Sequence, residues 1–133
     1  DNHISEIVDV ATKNDIAAII LTNTTNGNRD NLRSEVKKEE GGLSGEPLQQ
    51  ISTNIIKKFY KQLNGKIPII GVGGVNSGKS AYEKIIAGAS LLQLYTSFVY
   101  RGPSIAKDIK KELIQILKTE GLSNIKEAIG KGA

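Results

Sequence analysis

Near the middle of the chain stands the run Ile67-Pro68-Ile69-Ile70-Gly71-Val72-Gly73-Gly74-Val75. Its first part is apolar at almost every position, which is typical of a strand buried on both faces of a parallel sheet. Pro68 falls near the start of this strand, where proline is tolerated. The paired glycines begin a sharp turn that extends to Gly78, and a helix is then predicted over residues 79–87.

Two more strands are predicted, a buried one from the apolar run over residues 16–21 and a third strand over residues 90–95. Helical spacing of apolar residues fills the intervals between the strands. A first helix begins at Asn2 or Ser5, and its apolar face is Ile4, Ile7, Val8 and Ala11. The next helix begins at Pro47, and its apolar stripe is Ile51, Ile55, Ile56, Phe59 and Tyr60.

Two helices are predicted after the third strand, a long one from Gly102-Pro103 to about residue 119 and a short one over residues 124–129. The predicted order is therefore α-β-α-β-α-β-α, and alternating strands and helices form right-handed βαβ units with a parallel sheet. Three strands and 133 residues are fewer than an eight-unit barrel needs, which is at least about 200 residues. The chain is either a small open α/β domain or about half of a (β/α)8 barrel.

Composition excludes several classes of function. There is no cysteine and only one histidine, so disulfides, Cys-ligated metal sites and multi-His metal sites are excluded, and we expect no metal. Four tyrosines, two phenylalanines and no tryptophan are too few for base-stacking platforms, so we expect no nucleic-acid partner despite the net charge of +4. The chain lacks an initiator methionine and begins within a predicted helix, so we expect it to be an internal piece of a longer polypeptide.

Polar side chains with hydroxyl or amide groups follow the first strand in Thr22-Asn23-Thr24-Thr25. Ligands of parallel α/β folds bind at the carboxyl ends of the strands, and such a set suits a planar polar ligand. Thr and Asn also favour turns for local reasons, so a turn or cap cluster is the alternative.

A glycine-rich turn follows the second strand, and its backbone suits a phosphate because glycines allow close approach and a helix with free N–H groups begins next. A side chain at Gly74 is expected to fill the space of the phosphate. The spacing matches neither the dinucleotide fingerprint nor a P-loop, and a tight structural turn is the alternative. Tyr95-Thr96-Ser97 forms a second junction of this kind after the third strand. Two such junctions on the last two strands favour the C-terminal half of a barrel that binds a phosphorylated cofactor or substrate.

The long polar stretch over residues 23–46 is typical of a functional or disordered loop. Within it, residues 37–40 are interpreted as a solvated segment of mixed charge. Residues 41–45, Gly-Gly-Leu-Ser-Gly, are placed to bring a backbone amide close to a ligand. His3 is interpreted as an exposed residue at a helix start.

The combined motifs strongly resemble dihydroorotate dehydrogenase, and the membrane-associated, quinone-using class more than the soluble classes. The segments that carry the resemblance span nearly the whole chain. They are Ile20-Leu21-Thr22-Asn23-Thr24-Thr25, Gly41-Gly42-Leu43-Ser44-Gly45-Glu46-Pro47-Leu48, the run over residues 67–75, Ala81-Tyr82-Glu83-Lys84-Ile85, Ala87-Gly88-Ala89-Ser90, Leu92-Gln93-Leu94-Tyr95-Thr96 and Gly102-Pro103.

The resemblance implies that residues 1–133 are the C-terminal portion of one FMN-binding (β/α)8 barrel that oxidises dihydroorotate to orotate and passes the electrons to a quinone. Carried over by position, Asn23 and Thr24 are implied to contact the substrate. The implied FMN contacts are Thr22, Ser44, Gly45, Gly73, Gly74, Tyr95 and Thr96.

The family's catalytic serine base, a flavin-contacting lysine, further asparagines and the quinone-tunnel helices lie upstream of Asp1. The resemblance therefore implies that this chain carries no catalytic base and works with the N-terminal half of the same protein. Membrane association is implied through that half, at the mitochondrial inner membrane if the organism is eukaryotic.

Two features depart from the family pattern. The loop over residues 36–40 is longer than is usual, and Ser80 stands where an acidic residue is common, although Ser80 can still cap a helix so that little depends on the change. Two alternative functions stay open at this point. They are a half-barrel of a sugar-phosphate isomerase or aldolase, which needs ionisable residues at strand ends, and a flavin-binding half-barrel without turnover.

Overall fold

The computed structural model describes residues 2–27 and 29–133. Its sheet has three parallel strands, β1 (Ile19–Leu21), β2 (Ile69–Val72) and β3 (Ala89–Gln93), in the spatial order β1-β2-β3. The predicted parallel sheet is therefore confirmed. β1 is shorter than predicted, because its pairing begins where Ile19 donates to the Pro68 carbonyl, and Pro68 has no N–H with which to extend the ladder.

Five α-helices occupy the described residues: α1 (Asn2–Lys13), α2 (Gln49–Leu63), α3 (Gly78–Ile86), α4 (Thr96–Arg101) and α5 (Ile105–Thr119). Short 3-10 helices cover Glu35–Lys38, Glu46–Leu48 and Ile125–Ala128. Pro47 lies in the 3-10 turn that leads into α2, close to its predicted role. The sequence prediction missed α4, because its aromatic and β-branched residues continue the pattern of β3. Ser5 lies inside α1 and does not cap it. The other predicted cap, Asn2, is the first residue of α1, and its side chain lies outside the described part of the chain.

The main core lies between the sheet and helices α1 and α2. Its buried members include Val8 of α1, Leu21 of β1, and Ile56 and Phe59 of α2. A second buried cluster joins α3 and α5 through Ala81, Ile105 and Ile109 with Val75. Two residues predicted for these faces are instead exposed: Ile7 of α1 is 47% exposed and Ile51 of α2 is 51% exposed. Each lies at the edge of the apolar stripe of its helix, so the buried part of the stripe is narrower than the apolar spacing in the sequence predicts.

Among the described residues, no helix covers the opposite face of the sheet. Ile20 and Leu91 both pair in register with Ile70, so the three side chains form one row across β1, β2 and β3. Ile20 is 54% exposed and Leu91 is 62% exposed. The prediction that the first two strands are buried on both faces is therefore wrong within the described residues, where β1 has Ile20 exposed and β2 is fully buried only at alternate positions. In a complete (β/α)8 barrel this face is the packed interior, which explains why it is apolar.

The long loop between β1 and α2 has internal structure. Thr25 pairs with Leu43 in an antiparallel bridge, which brings the two ends of the loop together. The Arg29 guanidinium donates hydrogen bonds to the carbonyls of Glu39 and Gly41, and so holds the loop across its width. The segment over residues 37–40 is mainly exposed, as predicted.

Candidate cofactor-binding site

A cleft of about 870 Å³ opens at the carboxyl ends of the three strands. Its volume lies within the range of small-molecule sites. The three strand ends bring together residues that are far apart in sequence. All nine residues predicted as cofactor or substrate contacts line this cleft: Thr22, Asn23, Thr24, Ser44, Gly45, Gly73, Gly74, Tyr95 and Thr96.

The junction after β1 combines local hydrogen bonds with exposure to the cleft. Asn23 accepts a hydrogen bond at Oδ1 from the Thr24 amide, 2.7 Å away, so its side chain is oriented by its own backbone. The Thr22 amide donates to the Val72 carbonyl at 3.4 Å, which ties the junction to β2. The Asn23 Nδ2 group has no hydrogen-bond partner among the described residues and remains available as a donor. The turn interpretation and the ligand interpretation are therefore compatible.

The turn after β2 depends on two glycines with positive φ, +108° at Gly73 and +74° at Gly74. A Cβ atom at Gly74 would lie 2.6 Å from the backbone N and Cα of Gln49, at the start of α2. A Cβ at Gly73 would lie 3.1 Å from Cβ of Ser52. The expectation that a side chain at Gly74 fills the phosphate space is therefore wrong, because it would strike α2. The glycines are needed so that the turn fits against that helix.

The start of α3 is occupied by internal caps. Ser77 Oγ accepts from the Ser80 amide in a capping box, and Glu112 Oε2 accepts from the Gly78 amide at 2.5 Å. Ser80 Oγ in turn accepts from the amides of Asn76 and Ser77 at 2.9 and 3.0 Å. The predicted free N–H groups are thus partly used within the protein. Ser80 does cap, as predicted, but it holds two buried amides, so more depends on it than the sequence indicated.

The junction after β3 is fastened to its neighbours by side chains. Thr96 Oγ1 donates to Ser44 Oγ at 3.0 Å, which joins the long loop to the start of α4. Ser97 Oγ donates to the Val75 carbonyl at 2.5 Å, and Arg101 Nη1 donates to the Asn76 carbonyl at 2.6 Å. Sequence reasoning missed Ser97 and Arg101 as supports of the glycine turn, because their partners lie more than twenty residues away.

A buried lysine stands behind the glycine turn. Lys84 is 0% exposed, and its Nζ donates to Ser52 Oγ at 3.0 Å, Thr53 Oγ1 at 3.1 Å and the Gln49 carbonyl at 3.3 Å. Burial lowers the pKa of Lys84 to about 8, although the nearby Glu83 carboxylate acts in the opposite direction. Sequence reasoning missed this residue. The available signal was its position on α3 between the inward-facing Ala81 and Ile85.

The cleft offers neutral hydrogen-bond donors near the strand ends: hydroxyls, an amide side chain and glycine backbone. This set fits a phosphorylated, planar polar ligand better than it fits a metal. Over residues 2–27 and 29–133, no group of three His, Cys, Asp or Glu side chains is arranged to hold a metal ion. In the same ranges, no helix has both the length and the apolar character needed to cross a bilayer.

The fold and the cleft together define part of a (β/α) barrel with its ligand site at the carboxyl ends of the strands. Comparison with known proteins gives the particular family. The family profile described as dihydroorotate dehydrogenase matches residues 1–117. This chain therefore belongs to the dihydroorotate dehydrogenase family.

Individual relatives agree with this assignment. The mitochondrial dihydroorotate dehydrogenase (quinone) of Mus musculus is 46% identical over 125 residues, which cover 94% of this chain and 32% of the relative. The dihydroorotate dehydrogenase (quinone) of Cereibacter sphaeroides is 46% identical over 132 residues, which cover 99% of this chain and 37% of the relative. Relatives named mitochondrial thus occur beside bacterial ones.

A solved structure, that of ligand-free DHODH from Eimeria tenella, superposes with a TM-score of 0.94 at 45% identity. The alignment covers 98% of this chain and 36% of that one. The chain thus has the fold of part of this barrel, as predicted. It spans about a third of the length of the curated relatives it matches.

Proposed function

We propose that these 133 residues are the C-terminal portion of a quinone-dependent dihydroorotate dehydrogenase, an enzyme of pyrimidine synthesis that oxidises dihydroorotate to orotate. One observation carries the proposal: the nine residues predicted as cofactor or substrate contacts all line one cleft at the strand ends. The names of the similar proteins supply the substrate and the quinone acceptor. The remaining strands of the barrel and the catalytic base come from the N-terminal half of the same protein.

In this proposal the cleft binds FMN by its phosphate and ring. The Gly73–Gly74 turn and the junction at Tyr95 and Thr96 hold the phosphate through the backbone amides of these four residues. Thr22, Ser44 and Gly45 contact the flavin from the other two sides of the cleft. FMN held by these residues would supply the redox chemistry, accepting a hydride from dihydroorotate and passing the electrons on to the quinone.

Asn23 and Thr24 bind the dihydroorotate ring in this proposal. The Asn23 amide group, already oriented through Oδ1 by the Thr24 amide, presents its Nδ2 donor to a ring carbonyl. A neutral donor suits a pyrimidine because it forms hydrogen bonds without requiring a charged partner. Membrane association belongs to the N-terminal half, and in a eukaryote the enzyme lies at the mitochondrial inner membrane.

The nine residues predicted as cofactor or substrate contacts include no Asp, Glu, Lys or His, which weighs against a sugar-phosphate isomerase or aldolase, because such an enzyme needs an acid or base at the strand ends. The test begins with the natural protein that contains this chain, purified for intact mass and flavin absorbance. Addition of dihydroorotate under anaerobic conditions should bleach the flavin, and addition of a quinone should restore its colour. If the protein is yellow but dihydroorotate does not bleach it, the result would support the alternative of a flavin-binding half-barrel without turnover. Colourless protein that binds no added FMN would overturn the proposal.

A further inference from the structure

Lys84 is an ionisable group in a place that ordinarily excludes one. It is fully buried on α3, and its three hydrogen-bond acceptors are neutral oxygens of Gln49, Ser52 and Thr53. No carboxylate among the described residues forms an ion pair with it, since the Glu83 carboxylate instead accepts from Gln49 Nε2 at 2.7 Å. Burying an ammonium without an ionic partner is unfavourable, so packing alone gives no reason for a lysine here.

The position of the Lys84 ammonium in the fold adds to the free-energy cost of burying it. Two of its acceptors, Gln49 and Ser52, belong to the first turn of α2 and Thr53 follows directly, so the ammonium lies near the positive end of the helix dipole. A cation is destabilised at that end of a helix, and an anion is stabilised there. An apolar side chain of similar length would avoid both costs. The charge therefore requires a negative partner that residues 2–27 and 29–133 do not provide.

A short relay connects this ammonium to the glycine turn. Ser52 Oγ accepts from Lys84 Nζ at 3.0 Å and donates its own proton to the Val72 carbonyl. Val72 is the last residue of β2, and the next residue is Gly73. The Cβ position of Gly73 lies 3.3 Å from Ser52 Oγ, so the turn rests directly on this hydroxyl. Lys84 and the cleft thus lie on opposite sides of one backbone turn.

We propose that Lys84 is a positioning residue for the phosphate of a flavin nucleotide: through Ser52 it fixes the Val72 carbonyl and the Gly73–Gly74 turn, and its charge stabilises the phosphate dianion across that turn. The inference rests on the proposed function, in which the turn binds the FMN phosphate. Lys84 touches neither the substrate nor the flavin, so its effect is confined to binding of the phosphate.

The experiment compares two ligands that differ only by the phosphate. Apoprotein of the full enzyme is titrated with FMN and with riboflavin, and the ratio of the two dissociation constants measures the contribution of the phosphate. Lys84→Met should lower the preference for FMN by about tenfold or more, because a charge within several ångströms in a poorly solvated region acts strongly on a dianion. Riboflavin affinity should stay within about twofold. The matched control is Lys79→Met, which removes an exposed cation from the same helix and should leave the ratio unchanged.

The outcomes separate this inference from the proposed function. If the wild-type enzyme binds FMN and riboflavin equally, the cleft does not bind the phosphate and the proposed phosphate site is wrong. If the wild type prefers FMN and Lys84→Met keeps the full preference, the phosphate site stands and the inference about Lys84 is wrong. An equal loss for both ligands would show that Lys84 only supports the fold, which also overturns the inference.

A second variant keeps the test decisive if Lys84→Met does not fold. Ser52→Ala retains the charge but removes the relay, and should lower the FMN preference by about two- to fivefold, the value of one hydrogen bond. Thr53→Ala is its control, because Thr53 also accepts from Lys84 but does not reach β2. An unchanged ratio in Ser52→Ala would overturn the positioning role.

Discussion

The Lys84 ammonium nitrogen lies 3.0 Å from the Ser52 hydroxyl oxygen, and that same hydroxyl donates to the carbonyl of Val72 at the end of β2. One buried contact therefore joins three elements, α3, α2 and β2, directly behind the candidate phosphate turn. Its strength depends on pH, because burial lowers the pKa of Lys84 from 10.5 to about 8.

The pH dependence of stability has a definite sign. Between pH 8 and 10.5 the unfolded chain holds a proton on Lys84 that the folded chain has released, so the lysine destabilises the fold less as the pH rises. The free energy of unfolding of the wild type, relative to Lys84→Met, should rise by about 2 kcal/mol between pH 7.5 and 9.5. Denaturant unfolding of both proteins at several pH values measures this difference.

Other titrating groups cancel in that comparison because both proteins contain them. They include Tyr82, whose pKa is raised by burial and by Glu120. A difference in stability that stays constant from pH 7.5 to 9.5 would mean that the Lys84 pKa is not lowered.

Ser80 should matter more than its size suggests. Ser80→Ala removes the acceptor of the Asn76 and Ser77 amides and one half of the capping box, and should lower the free energy of unfolding by about 1–2 kcal/mol. Ser80→Asp should recover part of this loss, because a carboxylate also accepts from both amides. Chemical denaturation of the full enzyme is the measurement, and equal stability of all three proteins would argue against the cap.

Gly74→Ala should destabilise the enzyme more than the same change at Gly65. The two positions have nearly equal φ, +74° and +76°, so a side chain is equally strained at both. Only at Gly74 does the new Cβ also meet the backbone of Gln49, 2.6 Å away, whereas nothing lies within 4 Å at Gly65.

Gly65→Ala should therefore cost about 1–2 kcal/mol, the cost of a left-handed conformation for a non-glycine residue. Gly74→Ala should exceed this value and should also lose flavin, since α2 and the turn must separate. Thermal melts and flavin absorbance of both variants test the comparison. Equal melting temperatures would contradict the close packing of the turn against α2.

Asn23→Ala should weaken substrate binding and leave flavin content unchanged. The variant removes one hydrogen-bond donor to the ring of dihydroorotate, which corresponds to about 1–3 kcal/mol and to a five- to 150-fold loss in affinity. The matched control is Asn26→Ala, an exposed residue of the same loop outside the set of matched residues. Loss of flavin with normal affinity for dihydroorotate would assign Asn23 to the cofactor instead.

The 133-residue chain by itself should self-associate rather than unfold as a cooperative monomer. β1 and β3 are both edge strands, and Ile20 and Leu91 expose an apolar row between them. Sedimentation of the isolated chain measures association, and Leu91→Glu should reduce it. Val36→Glu, at an exposed residue of the long loop, is the control and should not. A monomeric chain with a sharp thermal transition would contradict this expectation.

Apart from α4, the order of the elements and the position of the cleft could be predicted from the amino-acid pattern. Apolar runs indicated β1 and β2, and a mainly apolar segment indicated β3. Parallel connectivity brings the carboxyl ends of the three strands to one edge of the sheet, so the residues that follow each strand had to meet there. For this reason Asn23 after β1, Gly73 after β2 and Thr96 after β3 could be predicted to line one site without knowledge of any side-chain contact.

The residues that support that site could not be predicted, because they contact it from positions distant in sequence. Hydropathy patterns report the average burial of a position, and they rank a lysine or a serine as exposed. Lys84 and Ser52 are buried because α2 and α3 pack side by side and supply each other's hydrogen-bond partners across more than thirty residues of sequence. Glycine is likewise needed at position 74 because a Cβ there would lie 2.6 Å from Gln49, a close approach that arises only when α2 and the turn meet in space.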